Sequence, residues 1–175
     1  MRSAEVVESL RSKLAAPAGR HLYGVLGTYV ALDAFVGTLR QATMLDGQAF
    51  PKPLSVNQGI LEAIPDDEFH SLARDEAKRP EPTAKHVAQA FERFLRTHLT
   101  GSGLVVLANL EMLFVYNVEL SPLRVMAADA DRIVLLLPGR REGGRVVLFP
   151  GLGDGDYTLP TTLIAENHLW ELDAW

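Results

Sequence analysis

Three short, nearly uninterrupted apolar runs, Leu22 to Leu26, Leu104 to Leu107 and Ile133 to Leu137, constrain this chain more than any other feature. A half-buried strand alternates apolar and polar residues, whereas so short a run rich in Val, Ile and Leu reads as a strand covered on both faces. Between the runs lie segments of helical period: Ala31, Leu32, Phe35, Val36 and Leu39, then Val87, Phe91, Phe94, Leu95 and His98. Strands alternating with helices specify an α/β fold, a mostly parallel sheet flanked by helices.

The remaining segments fit around that frame. Val6, Val7, Leu10 and Leu14 form an apolar stripe that ends at Pro17-Ala18-Gly19, which predicts an N-terminal helix within residues 1–20. Leu54-Ser55-Val56-Asn57 reads as a further strand, Gln58 to Ile64 as a short helix stopped by Pro65, and 66–82 as a surface helix broken at Pro80 and Pro82. The stretch Pro138 to Gly144 separates two apolar segments and predicts a hairpin over Arg132 to Phe149, giving the sheet an antiparallel edge. One domain over 1–175 is expected, with helix 1–20, core 21–149 and an acidic segment 150–175.

That last segment carries five acids and no Lys or Arg, leaving 17 of each sign before it. With a net charge of -5 there is no global basic field for nucleic acid, so any DNA contact has to be local. The 47% hydrophobic content is enough to build a core, yet no apolar run approaches the roughly 18 residues of a membrane span. The start of the chain has no apolar core of signal-peptide type, so a cytoplasmic protein with no membrane association is expected. The absence of cysteine removes disulfides, thiolate nucleophiles and cysteine metal sites.

The first apolar run leads through Gly27 and Thr28 into a helix, where nucleotide-binding α/β folds place a phosphate loop. With Gly27 as the first glycine of G-x-x-x-x-G-K-[ST], the second glycine falls on Leu32, the lysine on Asp33 and the hydroxyl on Ala34. Such a loop needs backbone free of Cβ to wrap phosphates, a lysine to neutralise them and a hydroxyl for Mg²⁺. Asp33 puts a negative charge where the lysine belongs, and the same residues read equally as an ordinary strand–turn–helix. The second run ends at Ala108, where a metal-positioning Asp would stand, followed by Asn109 and Glu111. Glu111 has the chemistry to polarise water, but without a metal or phosphate cradle a structural or surface role fits better.

Arg140, Arg141 and Arg145 flank the predicted hairpin turn and have the chemistry to grip phosphates of DNA, RNA or a nucleotide, although Glu142 lies among them and turn arginines usually serve solubility. Gly151 to Asp156 lacks the ligand pattern and distal Glu of a calcium loop and reads as a tight turn. The histidines show no metal-ligand spacing, and no metal or cofactor is expected. The final apolar stretch either closes the core or forms an acidic docking face anchored by Trp170 and Trp175.

The segment Leu107-Ala108-Asn109-Leu110-Glu111-Met112-Leu113-Phe114, then Ser121-Pro122-Leu123-Arg124, Leu137-Pro138-Gly139-Arg140, Gly143-Gly144-Arg145, Pro150-Gly151 and Asp156-Tyr157, resembles the BrxF family, the small P-loop proteins of bacteriophage-exclusion (BREX) systems. In that family the first strand leads into an intact phosphate loop and an Asp precedes the Asn-x-Glu of the second. Asn109 and Glu111 match, while Leu32, Asp33, Ala34 and Ala108 depart. The resemblance implies a single P-loop-like domain that has lost catalysis and acts as a scaffold or regulatory subunit among the proteins of a phage-defence complex. A divergent NTPase or a local nucleic-acid-binding module are the alternatives.

Overall fold

The computed structural model describes residues 1–128, 130–153 and 156–173. Helix α1 (Ser3–Leu14) precedes β1 (Leu22–Gly27) and α2 (Tyr29–Gln41), and the two-residue β2 (Leu54–Ser55) opens a helical stretch of α3 (Val56–Ala63), α4 (Asp66–Asp75) and α5 (Pro80–His98). Strand β3 (Leu104–Ala108) is followed by the short α6 (Glu111–Val115) and α7 (Ser121–Met126). Strands β4 (Arg132–Glu142), β5 (Arg145–Leu148), β6 (Tyr157–Thr158) and β7 (Leu169–Glu171) follow, the last entered through a 3₁₀ turn at Glu166–His168.

The three apolar runs become neighbours in one sheet whose main path runs β2-β3-β4-β1-β7, and every pairing along that path is parallel. Alternation sorts their side chains onto two faces. Leu22 and Leu26 of β1, Val105 and Leu107 of β3, and Ile133, Leu135 and Leu137 of β4 pack in one cluster with residues of α3, α5, α6 and α7. Tyr23, Val25, Val106, Val134 and Leu136 pack in the other with α1 and α2. Helices therefore cover both faces, which is why these strands needed no polar alternation. Gly24 lets the layers close, since a Cβ there would come within 2.6 Å of Leu169 Cδ1. No helix among the described residues is long and apolar enough to cross a membrane.

Three expectations change. Strand β4 is central rather than an edge: Ile133 to Pro138 pair with β1 and Arg132 to Leu135 with β3, and only Gly139 to Glu142 pair antiparallel with β5. The hairpin is an arm that grows out of the middle of the sheet. The reason lies at Pro138, where the buried run ends, no N–H is available for a ladder, and β1 stops opposite at Gly27. Gly143 and Gly144 make the turn with φ of 56° and 80°, the left-handed pair that a two-residue hairpin loop requires. The second strand is shorter than expected, because Ser55 caps Gln58 N and turns Val56 and Asn57 into helix. Pro80 and Pro82 lie in the opening turn of α5, where a missing N–H costs little, rather than breaking a helix.

The connections set the position of a site. From β1 the chain crosses to the far edge through α2 on one face, whereas the connections from β2 to β3 and from β3 to β4 use helices of the other face. Adjacent strands whose connections depart on opposite faces leave a crevice outside their carboxyl ends. Here the change of face falls between β1 and β3, which flank β4.

Candidate functional site at the carboxyl ends of the strands

One residue separates β1 from α2. Thr28 is the N-cap, its Oγ1 accepting from Ala31 N at 3.1 Å, so the chain turns into helix with no loop to wrap a phosphate. Gly27 serves packing: a Cβ there would lie 3.2 Å from Leu172 Cδ1 and 3.4 Å from Ala31 Cβ. Leu32 is buried in the core, and Asp33 and Ala34 are exposed one and two residues on.

Along α2, Tyr29, Leu32, Asp33, Val36 and Arg40 follow the spacing of one helical stripe and form a wall of a crevice of ≈ 300 Å³. Lys52 and Pro53 ahead of β2, with Ala108 and Asn109 ending β3, line it too, as do Leu136 and Pro138 of β4. The crevice thus sits beside α2 over the ends of β3 and β4, apolar within and charged at Asp33, Arg40 and Lys52. Among the described residues none of these three makes an ion pair; Asp33 and Arg40 are two helical turns apart, about 10 Å along the axis. No group of three or more His, Asp or Glu that could hold a metal occurs among the described residues.

Beside the crevice each Glu111 oxygen holds one hydrogen bond. Tyr29 Oη donates to its Oε1 at 3.1 Å and Asn57 Nδ2 to its Oε2 at 2.8 Å, while Asn57 Oδ1 accepts from Met112 N at 3.1 Å. Asn109, in the left-handed region at φ 54°, donates through Nδ2 to Ser55 Oγ at 3.1 Å, and its carbonyl accepts from Asn57 N at 2.9 Å. Asn tolerates that conformation better than most residues. The Asn-x-Glu pair therefore joins the first turns of α2, α3 and α6. Burial first, and then the Glu111 carboxylate, push the Tyr29 hydroxyl above its ordinary pKa. Tyr29 and Asn57 carried no signal in the sequence; their partner lies 82 and 54 residues away.

The arginines near the hairpin are ion-paired. Arg140 meets Glu142 at 3.1 Å and Arg145 meets Asp156 at 3.5 Å, both exposed. Arg141 meets Glu166 at 2.6 Å, donates to the Leu169 carbonyl at 3.0 Å and lies 3.8 Å from Glu171, fastening the arm to β7. Phosphate binding here has to displace these carboxylates. Trp170 is 9% exposed and stacks on Tyr23 with centroids 5.9 Å apart, so its indole belongs to the core and not to a docking face. Trp175 and Asp154 lie outside the described residues.

Compared with protein-family models, with curated proteins and with solved structures, the chain finds no match in any of the three.

Proposed function

We propose that this protein is a non-catalytic, P-loop-like scaffold or regulatory subunit of a bacterial phage-defence complex of the BREX type. One observation carries the non-catalytic part: where a phosphate loop would lie, Gly27 is packed against Leu172 and Ala31 and Thr28 caps α2 directly. The bonds from Tyr29 and Asn57 to the two Glu111 oxygens support the same reading, since they give the carboxylate a structural role that ties three helices together. A strand inserted between the loop strand β1 and the Asn-x-Glu strand β3 is compatible with a P-loop-like ancestry. The defence context rests on the resemblance over Leu107 to Tyr157, and fold does not entail function.

Calorimetric titration with ATP and GTP, with and without Mg²⁺, tests the first part; the expected result is no saturable heat at concentrations that detect tens of micromolar affinity. Co-expression with the other components of a defence operon tests the second, and failure to co-purify with any of them removes it. A second reading, a divergent nucleotide site, draws on Arg40 and Lys52, which put two unpaired cations on the crevice in place of the missing lysine. Saturable nucleotide binding that is lost in Arg40→Gln and Lys52→Gln would favour it.

A further inference from the structure

At the opposite end of the sheet lies a larger cavity of ≈ 560 Å³. It is bounded by Arg11 and Leu14 of α1, by Met44 and Asp46 in the turn after α2, and by Leu104 and Arg132 at the amino-terminal ends of β3 and β4. Its size is that of a small-molecule site. Two guanidinium groups share it, and both are incompletely satisfied. Arg132 donates through Nη2 to the Ala16 carbonyl at 3.2 Å and through Nη1 to that of Ala130 at 3.4 Å, but its Nε is buried without an acceptor. Arg11 pairs through Nη1 with Glu8 at 2.7 Å, and its Nε is likewise buried without an acceptor.

Among the described residues no carboxylate bridges the two. Asp46 turns its Oδ1 to Gln48 N at 2.9 Å and makes no ion pair with either arginine; nor does Asp131, next to Arg132, whose Oδ1 is buried and unpartnered. Two guanidinium groups on one cavity, each with Nη hydrogens beyond the bonds named, favour an anion with several acceptor oxygens. The planar guanidinium fork matches a phosphoryl group, which can accept from both arginines at once. The apolar lining, Leu14, Met44 and Leu104, suits an organic body.

We infer that this cavity binds a small organic phosphate, its phosphoryl oxygens held between Arg11 and Arg132 and its body against Leu14, Met44 and Leu104. A small ligand fits better than a nucleic acid, because the cavity is concave and the chain's net charge of -5 offers no field to draw in a polyanion. The site uses nothing at the carboxyl ends of the strands, so it stands whether or not the crevice binds a nucleotide.

Titration of the full chain with pyrophosphate, followed by calorimetry, tests it. Saturable binding is expected, weakened at least about tenfold by Arg11→Gln and by Arg132→Gln. Glu8→Gln, which frees Arg11 from its internal partner, should tighten binding by about two- to fivefold. Thermal denaturation without the probe reads whether each variant keeps its fold. If Arg132→Gln does not, Arg11→Gln and Glu8→Gln decide, since Arg11 keeps 25% and Glu8 68% of its side chain exposed. No saturation up to about 10 mM pyrophosphate, unchanged affinity in Arg11→Gln, or loss in Arg40→Gln with Arg11→Gln unaffected overturns the proposal. So does retention of a DNA duplex through these arginines with no pyrophosphate binding.

Discussion

The clamp around Glu111 makes the sharpest claim about the candidate site, and a double-mutant cycle between Tyr29→Phe and Glu111→Ala isolates it. Hydrogen bonds to a charged group contribute about 1.5–3 kcal/mol net when well buried. Tyr29 is 47% exposed, so solvent competes and its bond is expected to contribute about 0.5–1.5 kcal/mol. Glu111→Ala also strands Asn57 Nδ2, which is half-buried, so that variant should lose about 1.5–3 kcal/mol in all. For a chain of 175 residues each kcal/mol lowers Tm by about 2–4 °C, giving a drop of about 3–12 °C. Urea unfolding of the parent, both single variants and the double variant yields the coupling energy. The expected coupling is about 0.5–1.5 kcal/mol, because Tyr29→Phe should cost nothing further once the carboxylate is gone. Additivity within about 0.3 kcal/mol would refute the bond between α2 and α6 and reopen Glu111 as a free carboxylate.

Three further outcomes are expected. His168 is held below its ordinary pKa of 6.5, first by burial and then by Lys13, and its ring lies 4.7 Å from that of Tyr23. The unfolded chain therefore binds a proton that the folded one resists, and stability should fall as pH drops through 6.5 and level off below the folded pKa; His168→Phe should flatten that slope in urea titrations at pH 5 to 8. Gly59→Ala would put a Cβ 2.3 Å from the buried Phe94 ring and should destabilise by about 1–3 kcal/mol, whereas Gly37→Ala, with open space at a helical position, should be neutral or stabilising by up to about 1 kcal/mol, as denaturation midpoints will read. Arg141→Ala should release the arm from β7 and speed amide exchange at residues 139–148, while Arg140→Ala, at a solvent-exposed pair, should leave exchange there unchanged.

The apolar runs made the three main strands legible because burial on both faces leaves a local compositional mark. The stripe of α1 and the helical period of α2 and α5 were legible for the same reason, since 3.6-residue periodicity is a property of neighbours in sequence. That Leu32, Asp33 and Ala34 do not fit a phosphate loop could also be read by counting. The end of the buried part of β4 was signalled by Pro138, but its place in the middle of the sheet was not, because pairing partners are chosen by the whole set of strands.

By itself, then, the sequence determined an α/β chain with a mostly parallel sheet and no intact loop for a nucleotide. Tertiary structure alone decided that β4 separates β1 from β3, that Trp170 is core, and that Glu111 closes on Tyr29 and Asn57. It alone brought Arg132 to the end of α1, with its Nη2 on the Ala16 carbonyl 116 residues away. Periodicity and propensity act over a few residues and are written locally, whereas the partner of a charge is set by which strand ends the packing of two apolar faces brings together, and no local pattern encodes that.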